Sequence, residues 1–262
     1  KCGQRNTNQS GKNRSDKIIL MQKKIKKWLL RLSATALLIL GLLVAIVANP
    51  SWLYSHNTKG ANFSILHHST LDNALLVRLQ EASLLLKKSE LFDPTFSMQV
   101  CLNDGSSYPG IVGTLGGPAF ARGFYNKIVL FGFSDYGNNY TLFNGRKWNL
   151  TQLLAHEAIH CLQFNKYGLW NSKPLADIPN WKWEGYPEYI ARQNEEVDAL
   201  KKNFRKLTDV EATNKETWIN FEDGTGTPLL YFKDWLLVSY CMDIKKMSFG
   251  QLLSDNRSRE VL

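Results

Sequence analysis

The chain has 262 residues, 44% of them hydrophobic and 21% charged, which supplies the apolar material of at least one sizeable core and excludes whole-chain disorder. Its formal charge of +9 is confined to residues 1–54, where ten Lys/Arg meet a single Asp, and the rest of the chain carries 22 charges of each sign. A neutral major part argues against a basic nucleic-acid-binding face, so no nucleic-acid partner is expected.

Within the basic segment, Lys23, Lys24, Lys26, Lys27 and Arg31 precede an uncharged apolar run over 32–48, flanked by Trp28 on one side and Trp52 and Tyr54 on the other. This pattern predicts a transmembrane helix over 28–54, with aromatic residues at the two interfaces. The positive flank, 1–27, stays cytoplasmic, and the chain that follows is exported, so a single-pass protein of the cell (inner) membrane with a periplasmic or extracellular domain is expected. Ile46-Val47-Ala48 puts a bulky residue where a cleavage site wants a small one, which favours an uncleaved signal anchor. Met21 is a candidate start, and residues 1–20 are assigned no fold.

Polar and turn-forming residues (Asn49-Pro50, Asn57, Lys59-Gly60) predict a tether, with a linker over 55–66 and the folded domain over 67–262. Leu71, Leu75, Leu79, Ala82 and Leu86 recur at helical spacing over 71–88. Residues 96–102 alternate as a strand, 105–117 are rich in Gly, Ser and Pro and predict a loop, and 128–133 give the strongest strand signal in the chain. A helix is expected over 150–165, with Asn149 as its N-cap and Gln152 three residues on, a variant of the capping box. Further helices are expected over 184–200, 228–244 and 248–253. Strands early and helices late predict an α+β domain.

The helix after Asn149 carries His156-Glu157-Ala158-Ile159-His160. Residues four apart share one helical face, so both imidazoles can bind a single Zn²⁺ while Glu157, one step round, reaches water beside the ion. A catalytic zinc also needs a third protein ligand and an open position. Gln163 and Lys166 stand where a metzincin would have glycine and a third histidine, which excludes that class. Glu184 and Glu188 follow in Pro179-Asn180-Trp181-Lys182-Trp183-Glu184-Gly185-Tyr186-Pro187-Glu188-Tyr189, and on the residues alone they are near-equal candidates for the third ligand.

That stretch resembles the P-x-W-x-x-E-G-x-A-E-Y signature of the gluzincin metallopeptidases, especially the bacterial peptidase-MA-like proteins and, more distantly, the aminopeptidase N family. The resemblance covers roughly residues 65–255 and implies a zincin-like domain with a small N-terminal sheet and a mainly helical C-terminal part. It assigns the third zinc ligand to Glu184 and makes Glu157 the general base. The run from Pro228 to Tyr240 is similar to the aminopeptidase-N helix whose Tyr donates to the oxyanion, which points to Tyr231, with Tyr186, Tyr189 and Tyr240 as other candidate donors. Two positions depart from the pattern. Pro187 replaces a small residue and implies a ligand helix that starts late or kinks, and Asp234 stands where glycine is usual.

By the same resemblance the substrate lies as an added strand along a sheet edge, expected at 128–133, with Gly116, Gly117 and Gly123 allowing close backbone approach. The implied activity is zinc-dependent hydrolysis of a peptide or protein substrate. The absence of a Gly-Ala-Met-Glu-Asn motif before His156 favours an endopeptidase. The alternative is a catalytically inactive zincin-like binding or assembly protein at the cell envelope. Adjacent His67 and His68 point to different faces and are not expected to form a second metal site. The tryptophans are read as core, and the cysteines as buried thiols, with Cys161–Cys241 the alternative disulfide.

Overall fold

A computed structural model describes residues 7–60, 62–193, 199–213 and 217–257, and the chain divides into two compact units, Lys1–Trp52 and Leu53–Leu262. The first unit is the helix α1 (Thr7–Ala48), so residues 7–20, assigned no fold from sequence, are helical. Its stretch Lys24–Ala48 is long and apolar enough to cross a membrane, and none of that stretch is buried by protein. The helix stops where Asn49 Nδ2 donates to the Ala45 carbonyl at 2.9 Å and Pro50, lacking an N–H, opens a 3₁₀ turn.

The second unit begins with β1 (His56–Gly60) and β2 (Phe63–His67), an antiparallel pair. The segment expected to be a tether and linker is therefore strand. Its polar outer strand hid the inner one, in which Phe63, Ile65 and Leu66 are buried. There follow α2 (Asn73–Leu86), β3 (Met98–Cys101), α3 (Tyr108–Gly116), β4 (Ala121–Phe124) and β5 (Lys127–Leu130). The five strands form one sheet in the order β1-β2-β3-β5-β4, with β2, β3 and β5 parallel and β4 antiparallel to β5.

Strand alternation gives the sheet two working faces. Phe63, Ile65, Met98, Val100, Ile128 and Leu130 face the main core, while Leu66, Cys101 and Val129 face a smaller cluster completed by Tyr108 and Val112 of α3. The expected loop at 105–117 is thus largely helix. Pro109 lies in its first turn, where a missing N–H costs nothing, and Tyr108 and Val112, four apart, supply its buried face. The expected edge strand is also corrected: β5 lies inside the sheet between β3 and β4, and β4 is the edge on the α4 side, with β1 at the other.

Next come β6 (Phe133–Asp135), β7 (Tyr140–Phe143) and β8 (Arg146–Asn149), a three-stranded antiparallel meander. After it the chain is mainly helical: α4 (Leu150–Tyr167), α5 (Asn180–Ala191), α6 (Ala199–Thr213), the hairpin β9 (Trp218–Asn220) and β10 (Gly226–Pro228), α7 (Leu229–Ser239), and α8 (Phe249–Ser254). The unit is a mixed α+β fold. The expected helix over 184–200 is two helices, and α5 starts early, at Asn180, then runs through Pro187 to Ala191 rather than starting late. Asn149 Oδ1 accepts from Gln152 N at 3.1 Å, as an N-cap should, and α8 opens on a full capping box at Ser248 and Gln251.

The helices α5 and α7 cross closely because Gly185 has no side chain. A Cβ there would sit 2.6 Å from the Asp234 carbonyl oxygen and 2.7 Å from Val238 Cγ2. Cys101, Cys161 and Cys241 are buried free thiols, so the alternative Cys161–Cys241 bridge is not formed.

Candidate active site

The helix α4 is buried from Leu150 to Gln163 except at Gln152, wedged between the sheet and α5. His156 and His160 lie one turn apart, with their Nε2 atoms 3.1 Å from each other. Glu184, on the first turns of α5, brings Oε2 to 3.2 Å from His160 Nε2 and 3.5 Å from His156 Nε2. A tetrahedral ion with bonds of 2.0–2.1 Å separates its ligand atoms by roughly 3.3–3.4 Å, so the three distances are those of one face of such a site. The donor set of two imidazole nitrogens and one carboxylate oxygen is also a set that zinc takes. Among the described residues this is the group of His, Cys, Asp or Glu able to hold a metal ion.

Glu188, the other carboxylate the sequence left open, points to the opposite side of His156: its Oε1 is 3.4 Å from His156 Nδ1. It therefore stands behind the His156 ring rather than beside Nε2, where a carboxylate orients the ring and raises its basicity. Its other oxygen accepts from Arg192 Nε at 2.9 Å, and the Arg192 guanidinium lies over the rings of Phe221 and Trp235 at 4.7 and 5.2 Å. Burial opposes a charge on His156, but Glu184 and Glu188 outweigh it and lift its pKa to about 10. Burial works against ionisation of Glu184 too, yet His160 and His156 hold its carboxyl well below the usual carboxylate range. Metal-free, the cluster keeps a proton that a cation can replace.

Glu157, one step round α4, accepts a hydrogen bond from Gly123 N at 2.5 Å through Oε2. The contact exists because β4 passes directly over the helix: a Cβ on Gly123 would lie 2.1 Å from the Glu157 carbonyl oxygen. The Gly123 N–H thus faces away from β5. By antiparallel alternation the N–H and C=O of Ala121 face that same open side. A cleft of about 370 Å³ lies there, lined by Ala121, Gly123, Glu157, both histidines, Glu184 and Tyr231.

Tyr231 sits on the first turn of α7, its ring centroid 5.7 Å from that of His156 and 5.8 Å from that of Trp148. Burial, with Glu184, Glu157 and Glu188 nearby, pushes its pKa well above the phenol value, so it stays an O–H donor. The hydroxyls of two other candidate donors are engaged elsewhere. The Tyr186 hydroxyl pairs with Ser89 Oγ at 2.9 Å and accepts from Glu90 N at 3.1 Å. Tyr189 donates to Asp243 at 2.7 Å, and Tyr240 lies under Lys245. Asp234 is buried within an uninterrupted α7.

His67 pairs with Thr58 and the Ser69 carbonyl, and His68 with Ser55 and the Leu53 carbonyl, so their ring nitrogens are occupied apart from one another. Trp181, Trp183, Trp218 and Trp235 are buried as core, while Trp170 is exposed. Two polar groups at the site were not anticipated: Gln163, whose Oε1 is 2.8 Å from His160 Nδ1, and Arg192. Both sit at helical spacing from residues already singled out, three past His160 and four past Glu188, which is the available signal. No known protein family, curated protein or solved structure matches the chain.

Proposed function

We propose that this protein is a membrane-anchored zinc metallopeptidase with a gluzincin-type, zincin-like catalytic domain, acting on peptide or protein substrates outside the cytoplasmic membrane. The observation that carries the reading is the convergence of His156, His160 and Glu184 at ligand spacing beside Glu157 and an open strand edge. His156, His160 and Glu184 would hold Zn²⁺, which when bound acidifies water toward neutrality and polarises a carbonyl.

An extended substrate segment adds to β4 as an antiparallel strand, its backbone meeting the open N–H and C=O of Ala121. Glu157, steadied by the Gly123 N–H, takes the proton of the attacking water and passes it to the departing amine. Tyr231 donates to the carbonyl oxygen as negative charge develops, a contribution of about 3 kcal/mol for one such donor. The cleft favours internal cleavage: its lining carboxylates are Glu157 and Glu184, and Arg122 and Lys173 beside them are basic. A substrate α-amine would find no free acidic partner among the described lining residues.

The basic residues 23–31 ahead of the apolar helix support an N-terminus in the cytoplasm and a catalytic unit on the other side. The test is cleavage of an internally quenched peptide library by the full chain in detergent. Activity is expected to vanish on chelation, return with zinc, and be lost in Glu157→Gln with zinc still bound. Cleavage that survives chelation, or full turnover by Glu157→Gln, would overturn the proposal.

A further inference from the structure

Gln163 has no part in the chemistry above, yet its side chain is completely buried and bridges the two helices that carry the ligands. Its Nε2 donates to the Trp183 carbonyl of α5 at 3.1 Å, and its Oε1 lies 2.8 Å from His160 Nδ1. A carbonyl oxygen can only accept, so the NH₂ end of the amide must face Trp183. The Oε1 end then faces His160, and since it too only accepts, Nδ1 must carry the proton. A neutral imidazole protonated at Nδ1 has its lone pair on Nε2, the atom that points at His156 and Glu184.

The Trp183 carbonyl is open to Gln163 for a reason written in the sequence. In an uninterrupted helix it would accept from the N–H four residues on, at position 187. That residue is Pro187, which has no N–H, and α5 continues through it. The proline that departs from the metallopeptidase signature thus leaves a buried acceptor, and Gln163 supplies the missing donor.

We propose that Gln163 is a positioning residue for the metal site, anchored by the carbonyl that Pro187 leaves open, and that it fixes the His160 tautomer so that Nε2 is free to ligate. A flipped or missing amide would let the proton move to Nε2 and block the ligand. The inference rests on His160 being a zinc ligand, and its test separates the two.

The full chain in detergent, metal-free and labelled with ¹⁵N-histidine, reports the His160 tautomer from its ring nitrogen shifts, and chelator competition reports zinc affinity. The wild type should show Nδ1–H at His160. Gln163→Met, similar in volume and without either hydrogen bond, should show Nε2–H populated and a zinc Kd raised about 10- to 100-fold. Pro187→Ala, whose restored N–H competes for the Trp183 carbonyl, should weaken zinc less, and in the Gln163→Met background it should add nothing, because it acts through the amide.

Should Gln163→Met fail to fold, Gln163→Glu keeps an acceptor for Nδ1–H and should keep both the tautomer and zinc affinity within a few-fold. Wild-type tautomer and Kd in Gln163→Met, or a zinc loss in Gln163→Glu despite retained tautomer, would overturn the role of Gln163. Independent, additive effects of the two substitutions would overturn that of Pro187. A wild type showing the Nδ1–H tautomer but binding no zinc would sink the metal reading while leaving the hydrogen-bond relay standing.

Discussion

Substituting Gly123 with alanine tests the close approach on which the site geometry depends. The added Cβ would meet the Glu157 carbonyl oxygen at 2.1 Å, where ordinary contact begins at 3.4 Å, so β4 and α4 must separate by roughly 1.3 Å. The obstacle is backbone on a helix buried along most of its length, which cannot turn aside as a side-chain tip would. Overpacking of this kind costs about 1–3 kcal/mol, which for a unit of this size lowers Tm by about 3–10 °C. The same displacement stretches the Gly123 N–H bond to Glu157 and moves the substrate edge away from the base. A misplacement of about 1 Å costs on the order of 100-fold in rate. Zinc content should be unchanged, because the three ligands lie on α4 and α5. Thermal melts, cleavage rates and bound zinc of Gly123→Ala in the full chain measure all three, and a wild-type Tm with wild-type turnover would mean that β4 and α4 are not held at this approach.

Two more outcomes follow from the electrostatics. Tyr231→Phe should keep zinc and KM and lose about 100- to 1,000-fold in kcat, measured by steady-state kinetics, since only the oxyanion donor is removed. The His156 pKa of about 10 in the metal-free protein lies above the ordinary histidine value. The stabilisation it brings is therefore complete below about pH 6.5 and is lost as pH rises through 10. Zinc must displace that proton, so zinc affinity should rise with pH between 7 and 9, with proton uptake by the buffer on binding. Calorimetry in two buffers of different ionisation enthalpy checks this, and a pH-independent Kd would contradict it.

Much of the site was legible because its residues obey helical spacing. His156 and His160 share a face by arithmetic, and the Asn149 cap told where their helix begins. Glu184 and Glu188 could not be separated by spacing, since both lie on α5 at positions four apart. Which side of His156 each carboxylate occupies depends on how α5 packs across α4, a tertiary fact. The edge strand was misplaced for a related reason. The apolar character of 128–133 marks a strand buried on both faces, which places it inside a sheet, whereas the true edge, Ala121–Phe124, is short and holds Arg122 and Gly123. The β7–β8 hairpin carried a readable signal in Asn144-Gly145, both at positive φ in a two-residue turn. The hairpin at 56–67 had no such signal, because its outer strand is polar. Pro187 suggested a late or kinked helix on propensity; α5 instead begins at Asn180 and continues through it, and the Trp183 carbonyl accepts from Gln163 of α4.

The zinc site proposed at His156, His160 and Glu184 can be counted directly. Elemental analysis of the full chain, purified without chelating tags and supplemented with zinc, should find about one zinc per chain, and markedly less in Glu184→Ala, whose remaining donors leave the site a ligand short. Absence of zinc from the supplemented wild type, or equal zinc in Glu184→Ala, would rule that site out.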